Sequence, residues 1–254
     1  MKKMKKKVEE PIDYEKTMRN YGLGSYQVTK NGYGYAESQS YYLWSNLPQL
    51  IELHREIRNI PNSKFDSKIL NISIIINCAI IIEGFLYELL KQPMVYSSED
   101  DSIESRFMNE IFEKLDNSSW NEIRHHYKLI FNKVLPQETT ENNWKSIQFL
   151  FQFRNMLTHS KPIKFIVKMI DNKPYPIHIG KYESIYKFLI EKKLINKICF
   201  PENMRTELIN SNVADFFWTE TQEFLKNIAK NNYEFANGPI SDDFETAFDY
   251  KNSF

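Results

Sequence analysis

The stretch Ile72-Ser73-Ile74-Ile75-Ile76-Asn77-Cys78-Ala79-Ile80-Ile81-Ile82, ending at Glu83, decides the fold. Only Ser73 and Asn77 interrupt it. Apolar residues then continue through Phe85, Leu86, Leu89 and Leu90 with Gly84 as the one breaker, so the segment exceeds twenty residues, whereas strands rarely pass about ten. A helix over this span, capped by Ser63 or Asp66 and running to Lys91, is the reading. This run of eleven residues, two of them polar, falls short of the roughly 20 that a bilayer requires, which points to a core helix buried on nearly all sides.

Working outward, apolar and aromatic residues recur at helical spacing from Ala36 to Arg58, at Tyr42, Leu43, Leu47, Leu50, Ile51 and His54. Pro48 is expected to kink or divide that helix and Pro61 to close it. Downstream, Pro93 and the polar Ser97-Ser98-Glu99-Asp100-Asp101 mark a loop. Ile103, Phe107, Ile111 and Leu115 then lay an apolar stripe on a third helix. Ser118 or Ser119 caps a fourth, stopped by Pro136, and a fifth begins near Thr140 and carries Trp144, Ile147, Leu150, Phe151 and Phe153 toward Arg154.

After Pro162 the pattern changes. Residues 164–170 and 175–179 flank Asp171-Asn172-Lys173-Pro174 as a hairpin, with Pro176 restricting the second run to an edge strand. Ser184 to Leu194 and Val213 to Lys230 read as two more helices, the latter capped by Asn212 and Asp215. The expected class is mainly α: a helical bundle with a small β-hairpin insertion and additional C-terminal helices. Its parts are an irregular lead-in over 1–35, a helical domain over 36–162, a hairpin plus helices packing on it over 163–236, and a flexible tail over 237–254.

Composition bounds the function. The 254 residues are 42% hydrophobic, 26% charged and 15% aromatic, which excludes disorder for the bulk. With 33 basic and 33 acidic residues the net charge is zero, so a histone-like binder is excluded and any nucleic-acid contact comes from a local patch. The basic Met1–Lys7 end reads as a solvated terminus, with a phosphate-contacting arm as the alternative. Cys78 and Cys199 are the two cysteines, and with no secretory signal read at the start a reducing cytoplasm is the expected compartment, without a membrane anchor.

No P-loop, Gly-x-Gly-x-x-Gly, His-Glu-x-x-His or Cys-x-x-Cys pattern occurs, which removes the enzyme classes legible from those motifs. His125-His126 is the most metal-like pair, but neighbours on a helix diverge by about 100°. Both read as surface histidines, and His54 and His178 as structural ones. No metal or cofactor is expected.

The fifth histidine stands in Phe153-Arg154-Asn155-Met156-Leu157-Thr158-His159-Ser160-Lys161-Pro162. Asn155 and His159 share a helix face, Arg154 lies about 100° round, and Pro162 disfavours helix at Lys161. The three converge if the last turn loosens. An imidazole moves protons near neutral pH, a guanidinium steadies a phosphate oxyanion and an amide orients either, so a phosphodiester suits the group. The plainer reading is structural: Arg154 in a salt bridge, Asn155 satisfying backbone groups, His159 as a helix C-cap. Glu83 is expensive to bury alone and needs either water or a partner, with Arg154 the candidate.

Arg154, Asn155 and His159, with the earlier Ile82-Glu83-Gly84-Phe85-Leu86-Tyr87-Glu88-Leu89, resemble the higher-eukaryote and prokaryote nucleotide-binding (HEPN) superfamily over roughly residues 36–162. Its ribonuclease members carry Arg, four to six residues, then His, often with Asn after the Arg. The resemblance implies a dimer with facing motifs that cuts RNA without a metal, through 2′-hydroxyl attack that leaves a 2′,3′-cyclic phosphate. His159 would handle protons, Arg154 would stabilise the phosphorane and Asn155 would position its neighbours, with Glu83, Thr158 and Lys161 supporting. A toxin or phage-defence effector, with RNA as substrate and an antitoxin or defence-complex partner, is the implied setting. The alternative is a non-catalytic dimerisation or nucleotide- or partner-binding module.

Overall fold

The computed structural model describes residues 26–29, 32–35, 39–97, 103–115, 118–159, 166–170, 172–178, 183–196 and 207–232. The basic Met1–Lys7 end, Ser160 to Pro162, Cys199 and the tail over 237–254 lie outside them. The chain divides into two compact units, Met1–Ser38 and Gln39–Phe254. In the first, Tyr26–Thr29 (β1) and Gly32–Tyr35 (β2) form an antiparallel hairpin in the register Tyr26↔Tyr35 and Val28↔Tyr33. This corrects the irregular lead-in for residues 26–35. Tyrosine and valine prefer the pleated backbone, and the glycines beside them do not prevent pairing.

The second unit is mainly α. Its helices are α1 (Gln39–Asn59), α2 (Ser67–Ser97), α3 (Ile103–Leu115), α4 (Trp120–Phe131), α5 (Glu141–Thr158), α6 (Glu183–Glu191) and α7 (Ser211–Asn231). The Ile-rich segment is the central element. Asp66 closes its start, its Oδ1 accepting the Lys68 N–H at 2.8 Å, and Ile74, Ile75, Ile81, Ile82, Phe85 and Leu89 are fully buried. Helices α1, α3, α4, α5 and α7 all pack on it. That arrangement explains most of its composition: a helix with neighbours on most sides has little face left to be polar, and Ser73, Asn77 and Glu83 lie on the partly exposed stripe.

The expected helix end at Lys91 is corrected, and of the two outcomes expected at Pro48, a kink or a division, the division does not occur. Helix α1 runs undivided through Pro48, which is buried, and α2 passes Pro93 to end at Ser97 instead of Lys91. A mid-helix proline costs about 3 kcal/mol through one lost hydrogen bond and a clash. Burying Leu86, Leu89 and Leu90 just before Pro93 offsets this, at roughly 1.5–3 kcal/mol per side chain. By length and composition Ser67–Leu90 could cross a membrane, which corrects the count of eleven residues, yet 67% of that window is buried inside the protein.

Helix α4 starts at a capping box in which Ser119 and Glu122 satisfy each other's backbone N–H groups. It ends at Asn132 in the left-handed conformation (φ 51°), so the stop precedes Pro136, which opens a short 3₁₀ turn, Leu135–Gln137. Thr140 caps α5 through the Asn143 N–H. On α3 the stripe is split: Ile111 and Leu115 are buried, whereas Ile103 is 77% and Phe107 47% exposed.

The hairpin is β3 (Ile166–Ile170) with β4 (Lys173–His178), its register closing at Ile170↔Lys173. Lys173 and Pro174 therefore belong to the strand and not to the turn, where Asn172 takes φ 60°. Pro174 and Pro176 fall at alternate pairs, where an N–H would point away from the partner strand, so the ladder loses nothing.

The C-terminal helices are not an appendage. Phe217, Trp218, Phe224, Leu225 and Ile228 of α7 join one hydrophobic core with α2 and α5. Its cap is Asn210, whose Oδ1 accepts the Val213 N–H at 2.9 Å; Asn212 and Asp215 do not cap it. Asn210 Nδ2 also donates to the Leu194 and Glu207 carbonyls. Asn210→Ala should therefore lower stability by about 1–2 kcal/mol, read as a shifted urea midpoint at constant slope. An unchanged midpoint would mean that the cap is idle.

Candidate functional site

Arg154 and Glu83 meet where α5 crosses α2. Arg154 Nη2 donates to Glu83 Oε1 at 2.5 Å, with the side chains 23% and 27% exposed respectively. Burial pushes the Glu83 carboxyl above its ordinary range, and the Arg154 charge and hydrogen bond pull it partly back. The Arg154 guanidinium carbon lies 5.4 Å from the centre of the Phe151 ring, and its Nε is covered without a hydrogen-bond partner. Among the described residues Nη1 binds nothing else, so one edge of the fork stays uncommitted.

Thr158 continues the helix, its hydroxyl donating to the Arg154 carbonyl at 3.0 Å. His159 is the C-cap, its backbone N–H donating to the Asn155 carbonyl at 3.2 Å. The last turn thus stays wound through His159, so the loosened turn on which the expected convergence depends is not present. Arg154 and His159 are separated by an intact turn, about 7–8 Å of axial rise. Lys161 falls outside the described residues.

Asn155 and His159 are exposed, one turn apart on one face, and neither side chain hydrogen-bonds a described residue. The plainer structural reading is therefore met in two of its three parts. Arg154 is in a salt bridge and His159 sits at a C-cap, but the Asn155 side chain bonds no backbone group among the described residues. Chemically, the end of α5 offers a fixed cation, a free amide and a free imidazole.

Three features escaped the sequence reading. The first is a polar network joining α1, α2 and α7. Arg58 Nη2 is held by both Asp215 oxygens at 3.0 and 2.8 Å, and its Nη1 reaches Asn71. Arg55 bridges Asp215 and Glu52, and Trp218 Nε1 donates to Glu52 at 2.7 Å. The partners lie about 160 residues apart in sequence, so no local pattern marks them. Cys78, close by, is buried with its thiol pushed up to about 12 by burial, which makes it a core residue and no nucleophile.

The second feature is His126, which is buried at 8% exposure, correcting its reading as a surface histidine; His125 is exposed as expected. The helical face of Ile123 and Tyr127 carries His126 inward. Its Nδ1 is unpartnered, and burial, reinforced by His125, lowers its pKa; burial lowers that of His54 too. A folded-state pKa below the unfolded 6.5 means that the unfolded chain takes protons first. Stability is then complete above pH 6.5 and falls as pH drops through the depressed folded value. Melting temperature should decline between pH 7 and 5, and His126→Leu should flatten the slope. Equal slopes in both proteins would remove the histidine from the account.

The third feature is aromatic. Trp120 at the start of α4 stacks on Phe151 of α5 at 3.9 Å between centroids and 10° between planes. Among the described residues no group of three or more His, Cys, Asp and Glu side chains suited to a metal occurs. No family model, curated protein or solved structure matches the chain.

Proposed function

We propose that the protein is a metal-independent endoribonuclease of the HEPN type, acting as a homodimer in the cytoplasm as a toxin or phage-defence effector. The observation that carries the reading is the contrast at the end of α5. Arg154 is fixed by Glu83, while Asn155 and His159 stand exposed and uncommitted. An amide and an imidazole on the solvent side of the helix end can meet a substrate without breaking an existing contact, beside a cation already held in place.

In the proposed reaction an imidazole takes the proton of a ribose 2′-hydroxyl, whose oxygen attacks the adjacent phosphorus. Charge builds on the phosphorane oxygens beside the free edge of Arg154, and a second imidazole returns a proton to the departing 5′-oxygen. The products are a 2′,3′-cyclic phosphate and a 5′-hydroxyl. Both proton roles are filled if a two-fold axis brings a second His159 to the same groove. Glu83 positions Arg154 and does not touch substrate.

One observation favours the alternative, a non-catalytic module that dimerises or binds a nucleotide or partner. Within one chain Arg154 is half neutralised by Glu83 and stands a wound turn from His159. Purified protein incubated with total RNA in EDTA decides between them. Cleavage with cyclic-phosphate ends is expected. Cleavage that vanishes in EDTA and returns with magnesium would identify a different nuclease chemistry, and intact RNA would favour the binding module.

A further inference from the structure

The end of α5 continues into a series of three rings flanked by two cations. The Arg124 guanidinium carbon sits 5.0 Å from the centre of the Trp144 ring, whose centroid is 6.3 Å from that of Trp120. Trp120 stacks flat on Phe151, and Phe151 carries Arg154 at 5.4 Å, which is tied to Glu83. The series runs Arg124, Trp144, Trp120, Phe151, Arg154, Glu83.

We infer that Trp120 is a stacking platform for an unpaired base of single-stranded RNA, placed to hold the chain beside His159; the inference rests on the ribonuclease reading and names how that site takes its substrate. Trp120 is half-buried. Phe151 closes one face of the ring at 3.9 Å and 10°, Trp144 stands 6.3 Å away at 32°, and the ring is still partly exposed between them. An indole backed on one face and still partly exposed can accept a nucleobase in parallel, and any base fits because each has a π face.

Charge supports a nucleic acid over an apolar partner. Arg124 has no acidic partner among the described residues, and its Nε is covered and unbonded like that of Arg154. Glu83 offsets only one of the two cations, so the series is locally positive on a chain whose net charge is zero. Phe151 precedes His159 by eight residues, about 12 Å along the axis, with Asn155 midway. A strand stacked at Trp120 can therefore lay its backbone toward the exposed histidine.

Binding of a single-stranded 2′-O-methyl oligonucleotide, which lacks the attacking hydroxyl, tests this without any chemistry. Trp120→Leu, which keeps apolar cover over Phe151 but removes the ring, is expected to weaken binding about tenfold, and Trp120→Phe to stay within about threefold of wild type. Arg124→Gln should reduce the salt dependence of binding. Wild-type affinity in a folded Trp120→Leu protein overturns the inference, and so does a wild-type protein that does not bind the oligonucleotide. Loss of self-association with unchanged binding overturns it by making Trp120 a contact between copies. If wild type binds through Trp120 yet leaves unmodified RNA intact, the platform stands and the nuclease reading falls. If wild type cuts RNA and Trp120→Leu binds normally, the platform alone falls.

Discussion

His159→Ala is expected to lower RNA cleavage by about two orders of magnitude or more, close to 3 kcal/mol in the barrier, with melting temperature almost unchanged. The separation of the two effects follows from placement. The side chain is exposed and hydrogen-bonds no described residue, and its link to the helix runs through its backbone N–H, which alanine retains. Mixing extends the test to the dimer. If each cleavage uses one imidazole as acceptor and another as donor, wild-type subunits combined with His159→Ala subunits lose activity out of proportion to the mutant fraction. A folded His159→Ala protein with full activity rejects the assignment, and a monomer cutting at full rate rejects the shared groove.

Arg154→Ala is expected to act on activity and stability together. A guanidinium that acted only at a phosphate could be removed without harm to the fold. The structure makes it the partner of a carboxylate from the central helix, and truncation leaves Glu83 three-quarters covered and unpaired. The cost should be about 1–3 kcal/mol, below the figure for a fully buried pair because both groups retain some water. The loss should also depend on pH in a definite direction. The folded-state pKa of Glu83 is already raised by burial, and removing the guanidinium raises it further. A raised carboxyl pKa means that the folded protein holds its proton longer than the unfolded chain. The deficit is then largest near neutral pH and shrinks as pH falls toward the pKa of Glu83. Glu83→Gln in the Arg154→Ala background should restore most of the stability and none of the activity. A deficit independent of pH would mean that the lost packing on Phe151, and not the stranded carboxylate, is the cause.

This coupling bears on how a cation can serve as an oxyanion holder on a neutral protein. A free surface arginine has several rotamers and loses entropy on meeting a phosphate. Arg154 has lost that freedom in advance, one edge tied to Glu83 and its plane against Phe151. The same tie reduces its net charge. Arg124, without an acidic partner among the described residues, supplies field that Arg154 alone does not.

What the sequence determined by itself is the set of elements. Isoleucine density over more than twenty residues excludes a strand, so the segment from Ser63 or Asp66 to Lys91 had to be a core helix. The cap at Ser118 or Ser119 and the helix start near Thr140 were legible because capping acts over three residues. The meeting of Glu83 with Arg154 was one of two readings open to an expensive carboxylate.

Tertiary structure decided whatever depends on partners distant in the chain. Pro48 and Pro93 did not end helices, because core burial outweighed a local penalty. His126 went inside because its helix face was chosen by packing on α2. Asp215, a cap by local pattern, instead became the acceptor for Arg55 and Arg58 on α1. Trp120 and Phe151, 31 positions apart in the sequence, became one stacked pair. Local pattern reports the free energy of a turn or a face. A side chain's partner is fixed by which faces the compact chain brings together, and that sum is not written in any short stretch.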